Sequence, residues 1–344
     1  MPVGERAIAE RFVAQGLAGE PLRDPVAVAE RLLAVQGQDP RGVRLAIRAR
    51  TEGLTAADVD RALSKDRSLL IAWLNRGTLH LVRCEDYPWL HALTAPPLST
   101  SASRRLKQEG VAPDAAERAV ATIERALVDE GPQTRQQLRE RLEAAGVRAE
   151  GQALIHLLFL ASVRGIAVRG PMVDGQHAYV LVRDWLGPQK PVDRDAALAE
   201  LARRYLAGHA PADDRDLARW AGLPLRDARA GLAAIASELE EADGGRVRLA
   251  KGVRDGETPP PRLLGAFDPV LLGWTSREQI LGPHTHLVTV NGIFRPFAMV
   301  DGRAVGTWKY ARGEVTVEPL GTLRPRDAAA LELEAGDVSR FLAQ

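Results

Sequence analysis

Ser68-Leu69-Leu70-Ile71-Ala72-Trp73-Leu74-Asn75-Arg76-Gly77-Thr78-Leu79-His80-Leu81-Val82 is the stretch whose reading decides the fold. Two apolar runs flank Asn75-Arg76-Gly77, a tripeptide with turn chemistry, and Thr78 to Val82 alternates as a strand does. The chain before this hairpin reads as helix. Asp24 caps a helix with Pro25 at its first position, and Val28, Leu32 and Val35 repeat at helical spacing. Pro40 forbids that helix from running on, because the residue before a proline is pushed out of the α region. Asp39 then caps a second helix carrying Val43, Ala46 and Ile47, and Thr55 caps a third with Val59, Ala62 and Leu63. Helices followed by a two-stranded hairpin is the winged-helix order, with Arg76 at the tip of the wing.

The order recurs. Pro113 opens a helix with Val120, Ile123, Leu127 and Val128 on one face, Thr134 and Gln137 make a capping-box pattern before Leu138 and Leu142, and Gln152 to Ser162 is a leucine-rich third helix. Gly165 to Arg169 and Ala178 to Val182 are strands around Asp174-Gly175. A third copy starts near Asp195, with Leu198, Leu201 and Tyr205, and its helix pair DLARWAGLPLRDARAGLAAI has the helix–turn–helix form. Glu238-Leu239-Glu240 and Val247-Arg248-Leu249 pair across Asp243-Gly244-Gly245. Between the first two copies Pro96 to Gly110 (PPLSTSASRRLKQEG) reads as a linker or exposed loop whose Arg104, Arg105 and Lys107 reach for phosphates or simply for water. From Pro259 the chain is strand-like and turn-rich. Leu287 to Val290, Phe297 to Val300, Ala304 to Trp308 and Val315 to Val317 suggest a small antiparallel barrel or curled sheet. A last helix, Arg326 to Leu342, carries Leu331, Leu333, Val338 and Phe341.

The expected fold is therefore α+β: three tandem winged-helix modules and a C-terminal antiparallel β-barrel-like domain. The boundaries are 1–95 for the first module, 96–188 for linker and second module, 189–256 for the third, and 257–344 for the β domain. A length of 344 residues is that of a multidomain chain. No run of 18 apolar residues exists to span a membrane, and the N-terminal stretch lacks the apolar core of a signal peptide. The single cysteine, Cys84, forms no internal disulfide and fits a reducing cytoplasm. Net charge is +1, so the distribution of charge matters more than its sum. Only five of the 46 basic residues are lysine, leaving 41 arginines. Arginine suits bidentate phosphate contacts, although GC-rich coding alone produces such a bias.

Gln36 and Gln38 bracket Gly37 at the junction between the first two helices of the chain's first module. In a regular helix residues two apart diverge; in an extended junction they share a side. Two neutral amides aimed at one point can hold a water or a ligand carbonyl, or be no more than a polar interhelical turn. Arg41, Arg44, Arg164, Arg169, Arg219 and Arg295 are candidate phosphate contacts from their places at helix starts, wings and the FRP segment. His80 is either a channel-facing contact or a structural histidine beneath the wing. His284 and His286 with Asp268 and Asp301 lack a third ligand at a recognised spacing, so no metal is assigned. Asp268-Pro269 and Asp301-Gly302 read as turns. Cys84 has no partner arrangement of a nucleophile. Trp73, Trp89, Trp185 and Trp220 read as core, and Met172-Val173 is the one modest apolar wedge at a wing tip.

Four stretches carry a resemblance: VQGQDPRGVRLAIRAR (Val35 to Arg50), RGTLHLV (Arg76 to Val82), LLGAFDPVLLGW (Leu263 to Trp274) and IFRPFAMVDGRAVGTWKY (Ile293 to Tyr310). In these the chain resembles the AlkZ/YcaQ family of winged-helix DNA glycosylases. The resemblance implies a C-shaped molecule around a DNA channel, with a Gln-aliphatic-Gln motif at its centre matched by Gln36 and Gln38. Gly37 departs from the aliphatic middle residue, which loosens the backbone there. Asp39 is one position too late to match the carboxylate that one branch of the family has in place of its second glutamine. The implied activity is a monofunctional glycosylase acting on double-stranded DNA with alkylated purines, as a monomer with no cofactor and no membrane association. The competing class is a non-enzymatic DNA-binding regulator or damage sensor.

Overall fold

The structure is a computed structural model that describes residues 3–252 and 255–343. Leu69–Leu74 pairs antiparallel with Thr78–Arg83, Leu74 opposite Thr78, around the Asn75–Gly77 turn in which Arg76 has φ 58°. All six residues of Leu69–Leu74 are buried, so an apolar run without alternation marks a strand covered on both faces. Its other edge carries the second hairpin: Ile71 lies opposite Arg169 of Ala167–Val173, which pairs in turn with Gln176–Leu181. The hairpins of the first two repeats thus share one antiparallel sheet. Pro113–Glu130, Arg135–Ala144 and Gln152–Val163 precede the second hairpin, and the Thr134–Gln137 capping box is present in both directions. These elements belong to a compact unit formed by Asp60–Ala197.

The stretch expected as a linker is instead a helix, Pro96–Gln108. Leu98, Ala102 and Leu106 stand four apart on one face, and Ala102 and Leu106 are fully buried against the Gln152–Val163 helix. Pro96 and Pro97 occupy the first two positions, where a missing N–H costs nothing. A run of small polar residues had hidden a narrow apolar stripe.

The other unit is built from the chain up to Val59 and from Leu198 onward. It holds the helices Val3–Ala14, Pro25–Leu32 and Pro40–Arg48, and from the third set Arg194–His209 from Leu198 on, Asp214–Ala221 and Leu225–Ala234. The third hairpin follows, Leu239–Ala242 with Arg246–Leu249, Leu239 opposite Leu249. Three helices and a hairpin therefore occur three times along the described chain. Tyr205, His209, Trp220 and Trp274 form an aromatic cluster, with Tyr205 and His209 stacked at 4.7 Å.

The C-terminal β region is an antiparallel sheet, as expected, but it does not close. Among the described residues it is an open four-stranded antiparallel sheet with Glu314–Pro319 and Arg262–Leu264 at its edges, not a barrel. Leu287 to Val290 is not a strand: Thr285–Leu287 is a 3₁₀ turn, and Val288 makes a single bridge to Phe294. His284 and His286 therefore lie at and within this 3₁₀ turn, not on a strand. The last helix, Pro325–Leu342, packs on the sheet through Leu331, Val338 and Phe341. Leu333, counted with them from sequence, lies off that stripe and faces solvent. Trp73 and Trp220 are core, whereas Trp89 and Trp185 are half-buried. No described helix is long and apolar enough to cross a membrane.

Candidate active site

The two glutamines sit where one helix is stopped and the next is started within eight residues. Asp24 accepts from Ala27 N at 2.7 Å and so caps Pro25–Leu32. That helix ends in a γ-turn: Leu33 has φ 64° and ψ −47°, and Ala34 N donates to Leu32 O at 2.7 Å. A fully buried leucine in this conformation is strained by about 1–3 kcal/mol, which surrounding packing must over-determine. Val35–Gln36 is then extended, and Asp39 caps Pro40–Arg48 by accepting from Gly42 N. The extended stretch ends at Gln36, so the two amides differ: Gln36 is buried at 7% exposure, while Gln38 is exposed.

The Pro40–Arg48 helix is locked in place by the Leu263–Asp268 segment. A Cβ on Gly42 would overlap the carbonyl oxygen of Ala266, and one on Gly265 would press on Leu45. Arg48 donates to Asp337 and Glu334, both at 2.7 Å, and to Leu263 O at 3.2 Å. Arg50 is fully buried and uses all five N–H groups: Nε to Gln15 O, Nη1 to Ala46 O and Asp268, Nη2 to Gln15 Oε1 and Asp268. Asp268 closes the arrangement by accepting from Val270 N at 3.0 Å. Its turn role was legible; its part in holding the glutamine-bearing junction was not.

Beside the start of this helix lies a cleft of about 440 Å³, lined by Asp39, Arg41, Ala266, Pro296, Lys309 and Tyr310 among others. Arg41 is exposed, and its guanidinium lies 5.2 Å from the Tyr310 ring centre, where cation–π attraction orients it. Sequence reasoning assigned no role to Lys309 or Tyr310. Both lie in GTWKY, a matched motif, which was the only available signal.

The other candidate residues have varied surroundings. Arg44 is buried and donates to Pro40 O at 2.6 Å. Arg219 and Arg295 are exposed. Arg219 lies near enough to Arg277 to lower its pKa, after the larger effect of burial. In the Asp60–Ala197 unit, Arg164 makes a two-pronged ion pair with Glu117 at 2.6 and 2.7 Å. Arg169 donates to the Tyr179 hydroxyl at 3.0 Å and lies over the Trp73 and Tyr179 rings. His80 is buried, its Nδ1 3.0 Å from Thr78 O, and burial together with the charge of Arg76 pushes its pKa down to about 3. Cys84 is half-buried and its thiol is pushed up to about 12 by burial, opposite to an activated nucleophile. The described residues contain no group of three His, Cys, Asp or Glu side chains that could hold a metal ion. His284 and His286 have their ring centres 6.0 Å apart.

Comparison with known proteins adds an independent line. The family described as DNA glycosylase AlkZ-like matches residues 29–341. An interstrand DNA cross-link repair glycosylase from Streptomyces sahachiroi is 28% identical over 93% of this chain and 92% of its own length. The solved structure of the Streptomyces sahachiroi DNA glycosylase AlkZ superposes with a TM-score of 0.78 at 25% identity, covering 98% of this chain and 96% of that one.

Proposed function

The chain belongs to the AlkZ-like DNA glycosylase family, and on that premise we propose that it is a monofunctional glycosylase that hydrolyses the N-glycosidic bond of N7-alkylated guanine in duplex DNA, bulky adducts and interstrand crosslinks included. Each of its three helix–hairpin repeats is read as a winged helix, and the chain as acting alone, because three modules already supply multivalency. The observation that carries the reading is the glutamine junction: an extended break between two capped helices, with one amide buried and the next turned outward.

Cleavage passes through an oxocarbenium-like state. An N7-alkylated guanine is already cationic, so it leaves as a neutral base with the C1′–N9 electron pair and needs no general acid. Water must then add to C1′ and lose a proton to solvent. Gln36 and Gln38 carbonyls accept hydrogen bonds from that water and present negative dipole ends to the developing sugar cation. One such group is worth about 10²–10³ in rate. That suffices for a weakened bond and is too little for an intact nucleotide, so selectivity for damage comes largely from the lesion. Neither a Schiff-base lysine nor a metal is required. Arg41, Arg219 and Arg295, exposed and in the same unit as the glutamines, are the arginines proposed to meet phosphates.

The test is a duplex with one N7-methylguanine, incubated with protein and then treated with alkali to break abasic sites. Base release by the wild type and its loss in the Gln36→Ala/Gln38→Ala double variant, with DNA binding retained, are expected. Undiminished release by the double variant ends the assignment of these residues. A crosslinked duplex in the same assay decides whether crosslinks are substrates.

A further inference from the structure

The two tryptophans expected as core and found half-buried, Trp89 and Trp185, line one cleft of the Asp60–Ala197 unit. Its volume is about 550 Å³. Trp185 stands near the end of the short helix Val182–Leu186, and Gly187, at φ 73°, turns the chain into Pro188-Gln189-Lys190-Pro191-Val192. That segment contributes to the lining. Two prolines restrict its backbone, and Gln189 Nε2 donates to Gly187 O at 2.8 Å. Trp185 is itself held from two sides. A Cβ on Gly170 would come within 2.9 Å of its ring, and the Arg67 guanidinium lies 4.4 Å over the ring centre. Arg67 reaches that place from a left-handed backbone, φ 50°, which an arginine adopts only at a cost in strain.

The cations of this cleft differ from others in the unit. Arg61, Arg83 and Arg183 each have a carboxylate partner at 2.6 to 3.6 Å. Glu85, the one carboxylate in the lining, is 2.6 Å from Arg83. Among the described residues Arg67 and Lys190 form no ion pair. Both are exposed, so leaving them unpaired costs little; what matters is their place against tryptophan and proline. This setting selects an anionic partner with apolar side chains. A small ligand is mostly enclosed by its site, whereas this cleft is rimmed by exposed Pro188, Lys190 and Pro191 and suits an extended chain. A nucleic acid strand needs a track of cations and bare aromatic faces for its bases. Here Arg67 covers a face of Trp185, and Glu85, 68% exposed, would repel each phosphate passing it. A peptide has no such regular charge. It can set carboxylates against Arg67 and Lys190 and an apolar residue against the tryptophans, and a proline-stiffened wall loses little freedom when covered.

We propose that the Trp89–Trp185 cleft docks a short acidic peptide segment of a partner protein, through one large apolar side chain flanked by carboxylates. The proposal is independent of the glycosylase chemistry, since its residues belong to the unit without the glutamines.

The experiment selects displayed random dodecapeptides on immobilised full-length protein, with duplex DNA in excess to occupy any DNA-binding surface. Enriched peptides are expected to carry at least two Asp or Glu around one Phe, Trp, Leu or Ile. The tightest is then synthesised with a fluorescent label and titrated by anisotropy. Arg67→Gly/Lys190→Glu is expected to weaken its binding by about tenfold or more. Glycine suits the left-handed backbone at position 67, so the melting temperature and the affinity for undamaged duplex should stay those of the wild type. Lys190→Glu alone, a change on an exposed side chain, should still weaken the peptide several-fold. With nitrogen-15-labelled tryptophan, the indole signals of Trp89 and Trp185 should shift on titration and those of Trp220 and Trp274 should not. No enrichment, a consensus without acidic residues, or equal affinity for the double variant overturns the proposal. So does a double variant that loses affinity for oligothymidine or duplex DNA, which would give the cleft to nucleic acid.

Discussion

The two ends of the Pro40–Arg48 helix use the same residue types for opposite purposes. At its start, Gln38 and Arg41 are exposed beside an open cleft. At its end, Arg48 and the following Arg50 are buried and bonded to carboxylates, carbonyls and an amide. A guanidinium taken out of water must find partners for its donors, and Arg50 finds five. The first end faces solvent beside the cleft, while the second is fixed by its bonds. In a chain with 41 arginines, the informative property is therefore each one's surroundings, not its presence.

The sharpest way to break this contrast is at the buried end. Asp268→Ala strands the Arg50 charge inside the protein and should lower stability by about 3–5 kcal/mol, read by urea denaturation. A loss below about 1 kcal/mol would mean that the clamp is not what holds the helix. At the other end, Gln36→Ala should slow single-turnover excision by roughly 10²–10³ with little change in urea midpoint, and Gln38→Ala by less, because its exposed amide already competes with bulk water. Equal effects would indicate that burial does not distinguish the two.

His80 gives the same test in the Asp60–Ala197 unit. Its folded pKa, near 3, lies below the ordinary value of 6.5. The unfolded chain therefore binds the proton first, so the neutral buried form stabilises fully above about pH 6.5, and that contribution is lost as pH falls toward 3. The slope is at most about 1.4 kcal/mol per pH unit from this one group. His80→Gln should flatten the decline in urea midpoint between pH 6 and 4, and an unchanged slope would show that His80 takes up its proton without opening the fold. The smallest effects belong to the exposed cations. Arg41→Ala and Arg295→Ala should each reduce the salt dependence of DNA binding by about one phosphate contact while leaving stability unaltered. No change in slope removes that residue from the interface.

What the sequence made legible follows from range. Asp24, Asp39 and Thr134 announce helix starts through local bonds, and the structure has all three. The first hairpin is equally local, its turn and strands being neighbours in the chain. Pro96–Gln108 was missed because its apolar stripe is three residues wide and interrupted by serines. Leu287 to Val290 was missed because a β-branched run reads as strand wherever it occurs, and only its pairing, a single bridge from Val288 to Phe294 in place of a longer ladder, shows otherwise. In the candidate site, the glutamines were legible as a pair at a break. Their unequal burial, the Leu33 γ-turn and the Arg50–Asp268 pair were not, since each depends on chain far away in sequence or on a conformation that leucine rarely adopts.

Gly42 makes the last point in reverse. It has no side chain to touch a nucleotide, yet its hydrogen atom is all that fits beneath the Ala266 carbonyl. A genetic screen for lost repair would rank alanine at this position with the loss of a reacting group, although the defect would be one of docking between two backbones. Phenotype alone would not tell a side chain that reacts from a glycine that only lets two backbones meet.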